Sequence, residues 1–391
     1  MRHTIQQPLL KLSYCLTLVL SLLLSTSVFS KTAASKKNDN TAISVSTNTG
    51  HDSNPFRFSN KLNAQSAQYI EAKLKGRYDL NDMFFMFTKL DARKYDNDTK
   101  DAGSSKYTLG IGYKQRFKFS HGKIKLKSKL QYGSRDKTYI SRTTGNIAQW
   151  GDASIGDRYD YTFYGLDTDL SWTPHKRNIF SVNLDYLNRD YEDFSISTLS
   201  NLDYSEYTLG LNWKHKFDKT QSLKVKVAHR FRDYEDYRAH DTNGIDIPNS
   251  ELKYNTWIAR FTYSIKASDA IQLSFLAQFD KRDDNESGYD NSEKQFARIG
   301  LSYDFSQYSE LDASVNYSKY DYSNRDQKIN DDDEELSEEK GFRYKVQYTH
   351  SLASIKGLAF TTALRYDDIK SDLGIYQYDR SQISIGAKYK F

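Results

Sequence analysis

From about residue 66 to the end of the chain, apolar and polar positions alternate with a period of two. Tyr107, Leu109, Ile111, Tyr113, Phe117 and Phe119 fall on one side of a segment, with Thr108, Gly110, Gly112, Lys114, Arg116 and Lys118 on the other. Ile124, Leu126, Leu130 and Tyr132 then alternate with Lys125, Lys127, Lys129 and Gln131. Such alternation predicts β-strands with one apolar face. It recurs over 164–172, 180–186, 207–217, 223–231, 257–265, 271–279, 297–305, 311–317, 342–352, 360–366 and 383–391, with two earlier strands near 66–79 and 83–95.

The connections alternate too. Those at 120–123, 173–177, 218–221, 266–270, 306–310 and 353–357 are short, whereas 134–157, 233–252, 281–294 and 323–340 are long and polar. Pro55, Pro174 and Pro248 are all expected outside the strands, as an unbroken hydrogen-bond ladder requires. YTLGIGYKQRF at 107–117 resembles YTLGLNWKHKF at 207–217, and RDYEDF at 189–194 resembles RDYEDY at 232–237, which reads as reuse of a hairpin within one domain. Short turns at one end and long loops at the other predict an all-β fold, a transmembrane antiparallel up-and-down barrel. Fifteen strands are countable from residue 66, and single-chain bacterial barrels have even numbers. One more strand is therefore expected between 41 and 62, for about sixteen in all, with fourteen as the alternative.

Composition agrees once the alternation is known. Mean hydropathy is −0.78, yet the chain of 391 residues holds 31 Tyr and 21 Phe. That many aromatics excludes a disordered chain, and the lack of repeated apolar runs of about 20 residues excludes a helical membrane protein. A single Cys excludes a disulfide scaffold. Residues 1–30 read as a cleaved signal peptide, with Arg2 and Lys11 before and within its start, an apolar core over 12–28, and Val28 and Ser30 before a cut at Lys31. Tyr14 is too large to precede a lipidated Cys15. Residues 31–60 form a polar extension that takes in the expected first strand, and 61–391 the barrel.

The last segment places Phe391 behind Tyr389, Ala387, Ile385 and Ile383 on one face. This resembles the C-terminal assembly signal of Gram-negative outer-membrane β-barrels, with Tyr389 and Phe391 as its aromatic positions. The resemblance implies insertion by the barrel-assembly machinery and a location in the cell outer membrane, with membrane lipid and lipopolysaccharide as partners. Tyrosine-rich strands with Arg- and Asp-rich loops are also similar to porin-like families found beside exopolysaccharide genes.

In a barrel the apolar stripe meets lipid and the polar stripe faces inward. Phe117, Phe119, Trp172, Trp213, Phe217, Tyr263, Phe305, Tyr389 and Phe391, at the turn end of the apolar stripe, fit an interfacial aromatic girdle. The inward stripe is predominantly basic. It holds Lys114, Arg116, Lys118, Lys125, Lys127 and Lys129, then Lys214, Lys216, Lys224, Lys226 and Arg230. Arg260, Arg298, Arg343, Lys345, Arg365, Lys388 and Lys390 continue it, against the acids Asp167, Asp169, Asp185, Asp280, Asp304 and Asp312. If the turn at 120–123 keeps apolar residues opposite each other, Lys118 faces Lys125, Arg116 faces Lys127 and Lys114 faces Lys129. The next such hairpin sets Lys216 against Lys224 and Lys214 against Lys226. Like charges directly opposite are destabilising, so a water-filled, mainly basic lumen is expected, passing small or anionic solutes. Pairing of Asp167 and Asp169 with the lysines at 125–129 would blunt that preference. The alternative is a barrel component of a polysaccharide or surface-molecule export or assembly system.

The long loops are acidic, as in DDDEELSEE at 331–339 and DDNESGYD at 283–290. Asp283, Asn285, Ser287 and Gly288 match half of a calcium loop, but Lys294 stands where a bidentate Glu is needed. None of the eight His has metal-site spacing. No enzymatic activity, cofactor or nucleic-acid partner is expected.

Overall fold

The computed structural model describes residues 40–59, 65–96, 101–141, 144–193, 200–322, 324–325 and 338–391. The expected leader with Cys15, and most of the 331–339 acidic run, lie outside the described residues. The strands are β1 (Thr41–Asp52), β2 (Ala67–Asp79), β3 (Phe84–Tyr95), β4 (Ser104–Phe119) and β5 (Gly122–Asp136). Then come β6 (Gln149–Trp150), β7 (Ala153–Ser154), β8 (Tyr161–His175), β9 (Asn178–Tyr191), β10 (Tyr204–Lys216) and β11 (Gln221–Tyr234). Pro174, expected in a turn, instead lies inside the end of β8, where the pairing with β9 shifts register between Trp172 and His175 and so tolerates a missing N–H. They are followed by β12 (Lys253–Lys266), β13 (Ile271–Asp284), β14 (Ser292–Ser306) and β15 (Ser309–Asp321). The last are β16 (Glu338–Ser351), β17 (Leu358–Ser371) and β18 (Tyr378–Lys390).

Sixteen of these strands form one closed antiparallel barrel; β6 and β7 pair only with each other, within the loop between β5 and β8. The additional strand expected between 41 and 62 is β1, and it closes the barrel by pairing with both β2 and β18. The backbone N–H of Phe391 donates to the carbonyl of Ile43 at 2.9 Å, below the last strand pair. Closure removes every free edge, the condition for a sheet to sit in hydrocarbon.

Side chains from strands two or three apart can meet only on the concave face, which identifies the inside. Lys114 on β4 reaches Asp79 on β2 at 3.2 Å, and the Tyr95 hydroxyl on β3 donates to Asp52 on β1 at 2.8 Å. On the outside stand Leu109, Ile111, Leu130, Leu166, Leu211, Ile299 and Ile385, all solvent-exposed in the isolated chain. The girdle residues expected at the short-turn end lie on this outer face. A second girdle, of tyrosines, rings the loop end. Tyr132 is registered opposite Tyr164, and Tyr186 opposite Tyr207, with the last pair's rings 4.9 Å apart. Tyr207 and Phe217 on one chain segment are ten residues apart, roughly 26 Å of membrane normal at about 3.4 Å per residue and a tilt of about 40°. That matches the apolar band of about 25 Å typical of outer-membrane barrels.

Two hairpins differ in register from expectation. Lys118 lies opposite Lys123, Arg116 opposite Lys125, and Lys114 opposite Lys127, while Lys129 faces Gly112. The reason is the turn. Strands continue to Phe119 and from Gly122, leaving only Ser120 and His121 between them. Gly122 has φ +126°, and a Cβ there would fall 2.2 Å from the Thr173 carbonyl, so only glycine permits so early a closure. The β10–β11 hairpin slips likewise: Lys214 faces Lys224, Lys216 faces Ser222, and Lys226 faces Asn212. There Asp218 accepts hydrogen bonds from the Thr220 and Gln221 backbone N–H groups at 2.6 and 2.8 Å and closes the turn.

Candidate functional site: the inner face of the barrel

Pairing through β2–β5, β8–β18 and β1 assigns every predicted basic position to the inner face. Lys114, Arg116, Lys118, Lys125, Lys127 and Lys129 form one block on β4 and β5. Lys214, Lys216, Lys224, Lys226 and Arg260 form a second on β10–β12. Arg298, Arg343, Lys345 and Arg365 form a third on β14, β16 and β17. Tyr389 and Phe391 stand apart from this site, stacked edge-on at 4.5 Å on the outer face.

Neutralisation differs between blocks. In the first, Lys114 pairs with Asp79 and Lys129 with Asp167 at 3.6 Å. Asp169, registered beside Lys127, instead accepts from Ser171 and Asn183, both at 2.6 Å. Arg116, Lys118, Lys125 and Lys127 form no ion pair among the described residues. The same holds for Lys214, Lys216, Lys224, Lys226 and Arg260. In the third block Asp367, fully buried, takes both Arg343 at 3.0 Å and Arg365 at 2.8 Å.

Sequence reasoning undercounted the acids. Glu206 and Asp367 both face inward; Glu206 holds Arg230 at 3.3 Å and Arg232 at 2.7 Å. Neither stood in a clear alternation: Asp367 precedes Asp368, and Glu206 lies among polar neighbours. The inner faces of β2 and β3 are charged as well. They add Lys73, Arg77 and Arg93, with Glu71 bridging Lys73 at 2.8 Å and Arg93 at 2.7 Å. Phe85 turns inward as well, under the Arg77 guanidinium 3.8 Å from its ring centroid. It lies on Gly112, where a Cβ would come within 2.1 Å of the ring.

Burial on the inner face concentrates at the loop end. Tyr69, Tyr95, Tyr161, Tyr204, Tyr254 and Tyr378 are buried there. Arginines lie between them: Arg189 and Arg232 lie 5.3 and 4.3 Å from the Tyr204 ring, and Arg282 lies 4.2 Å from Tyr254. The loops above are tied together. Buried Asp290, between β13 and β14, accepts from His240 of the preceding long loop at 2.8 Å and from Arg325 of the following one at 2.5 Å. Burial alone would raise the Asp290 pKa, but those two partners hold it below the ordinary value. In the half calcium loop Asp283 lies 3.9 Å from Lys281, Asn285 donates to the Glu251 carbonyl at 3.0 Å and the Ser287 hydroxyl donates to the His240 carbonyl at 2.8 Å, while Asp284 caps the N–H groups of Glu286, Gly288 and Asp290. In the 137–160 loop burial pushes the Asp160 carboxyl up to about 7, against one backbone hydrogen bond from Lys137. His229 lies outside the barrel against Trp257, 4.7 Å between rings.

An inner wall of charges within an outer wall of aliphatic and aromatic side chains defines an outer-membrane-type β-barrel. No protein-family model matches the sequence, and no curated protein does. Among solved structures the chain is similar to a BenF-like porin from Pseudomonas fluorescens Pf-5, at 11% identity and a TM-score of 0.47 over 90% of this chain and 99% of that one. It is similar to a bacterial polysaccharide outer membrane secretin, at 8% identity and 0.48 over 91% and 100%. It is also similar to OmpT, an outer membrane protein of Vibrio cholerae, at 11% identity and 0.42 over 92% and 100%.

Proposed function

We propose that the protein is an outer-membrane channel whose inner face lines a water-filled, mainly basic lumen passing small or anionic solutes. The observation that supports this reading is the pairing of like charges. Lys114–Lys127, Arg116–Lys125, Lys118–Lys123 and Lys214–Lys224 are direct cross-strand neighbours on the concave face, and most of these side chains have no acidic partner among the described residues. A dry interior would make such pairs cost several kcal/mol per unpaired ion. Water and mobile anions remove that cost, and the same field concentrates anions inside the barrel. Passage needs no covalent step and assigns no catalytic residue.

Asp167, Glu206 and Asp367 neutralise part of the wall, so the preference is expected to be partial. Single-channel recording in planar bilayers under a salt gradient tests it. A reversal potential of the anion-selective sign supports the reading; absence of conductance, or cation selectivity, overturns it.

A further inference from the structure

At the short-turn end of the barrel a recess of about 480 Å³ lies between the β8–β9 and β10–β11 turns, sharing Lys216 with the inner face. Lys176, Arg177, Lys216 and Lys219 line it, with Asp218 as the one acid. The backbone brings the two turns together: the Lys216 N–H donates to the Arg177 carbonyl at 2.8 Å. None of the four cations forms an ion pair among the described residues. Asp218 is the single counter-charge, held in the turn by the Thr220 N–H, the Thr220 hydroxyl and the Gln221 N–H, which donate to one of its oxygens at 2.6, 2.7 and 2.8 Å. The Gln221 side-chain oxygen accepts the Tyr263 hydroxyl at 2.6 Å, which leaves its amide N–H groups as donors. The recess is therefore rich in donors and positive charge.

We propose that this recess is a binding site for a phosphate group at the short-turn rim. Four cations gathered around a single carboxylate leave a net positive recess, and an oxyanion with several acceptor oxygens is the ligand that offsets the excess charge. Arg177 supplies the planar fork that suits phosphate, and the lysines add point charge. The height of the site on the barrel favours a lipid headgroup as the phosphate's source. Trp213 and Phe217 of the outer aromatic girdle, with exposed Phe180 registered opposite Trp213, lie on the same two hairpins, and basic rims attract anionic lipid at the headgroup level. A free phosphate or phosphorylated solute reaching the barrel mouth would use the same chemistry.

The test uses the full barrel, wild type and the double variant Lys176→Gln/Arg177→Gln, with Lys356→Gln in another short turn as the control. Unchanged heat-modifiable gel mobility verifies that each variant is folded. In the first arm, native mass spectrometry counts phosphatidylglycerol retained after extraction from vesicles of phosphatidylcholine with and without phosphatidylglycerol. Retention reduced at least five-fold in the double variant and unchanged in the control establishes the site with a lipid headgroup as its source. In the second arm, inorganic phosphate is titrated and its phosphorus resonance followed. Broadening that is lost in the double variant, with lipid retention equal in all proteins, establishes the site with free phosphate as its source. Wild type and double variant behaving alike towards both probes, or the control losing as much as the double variant, overturns the proposal. Channel selectivity is read separately, so failure here leaves the lumen reading standing.

Discussion

Replacing Asp52 by Ala tests how the barrel is held shut. Asp52 ends β1, is completely buried, and accepts from five donors on three other segments. These are Arg380 Nε at 2.9 Å and a second Arg380 nitrogen, Tyr95 Oη at 2.8 Å, Gln382 Nε2 at 2.7 Å and the Asn54 N–H at 3.1 Å. Arg380 is itself buried. Removing one member of a buried charge pair costs about 3–5 kcal/mol, because the other is left uncompensated. The orphaned Tyr95 and Gln382 groups would each add about 1–3 kcal/mol if water could not reach them; the adjoining lumen lets water replace part of that, so the total stays near about 3–5 kcal/mol. With a urea dependence near about 3 kcal/mol/M, the unfolding midpoint in lipid vesicles, followed by tryptophan fluorescence, falls by roughly 1–1.7 M. The double variant Asp52→Ala/Arg380→Met removes both charges and recovers most of the loss. A single variant within about 0.5 kcal/mol of wild type, the size of an ordinary surface substitution, refutes the reasoning, as does a double variant no better than the single.

Three further outcomes follow from the structure. Lys125→Glu/Lys127→Glu places negative charge among the unpaired cations of β4 and β5 and shifts the reversal potential towards cations. Each charge acting at about 4 Å in water is worth about 1 kcal/mol, roughly five-fold in relative permeability; an unchanged potential would place the conducting path elsewhere. The Asp160 carboxyl, raised to about 7, is neutral in the folded loop where a free Asp is already ionised. Its stabilisation of the 137–160 loop is thus full below about 4 and disappears as pH rises through 7. Amide protection in that loop, taken relative to the intrinsic exchange rate at each pH, should fall between pH 5 and 8 in wild type and stay level in Asp160→Asn. Gly112→Val expels the Phe85 ring from its seat and costs about 3 kcal/mol or more, the scale of losing a buried Phe; a urea midpoint equal to wild type would contradict the packing.

Much of this architecture is legible in the alternation of residues such as Leu109, Ile111, Lys114 and Arg116. Period two names both the strand and its two faces, and the parity of barrel strands leads to β1 before any strong apolar signal does. What escapes is whatever depends on turn closure or on pairing between distant segments. The register slip at Gly122 turns on a positive φ in a two-residue turn, whereas SHGK can equally be taken as four residues. In the FFMF run of β3 both faces are apolar, so alternation cannot say that Phe85 points inward; the bare Gly112 opposite it is the missing clue. Glu206 and Asp367 sit where local polarity blurs the phase. The contact of His240, Asp290 and Arg325 joins three loops, and no local pattern announces it.

The joint between β1 and β18 also has a temporal meaning. A chain delivered from its N-terminal side must carry β1 with one flank unpaired until β18 arrives, more than 300 residues later. Such a flank is an invitation to aggregate. The strand that has to wait is TAISVSTNTGHD, rich in hydroxyl and amide side chains, with Ile43 and Val45 as its only branched aliphatics. Its polarity, which made it the hardest strand to recognise, suits it to travel exposed and to bond last.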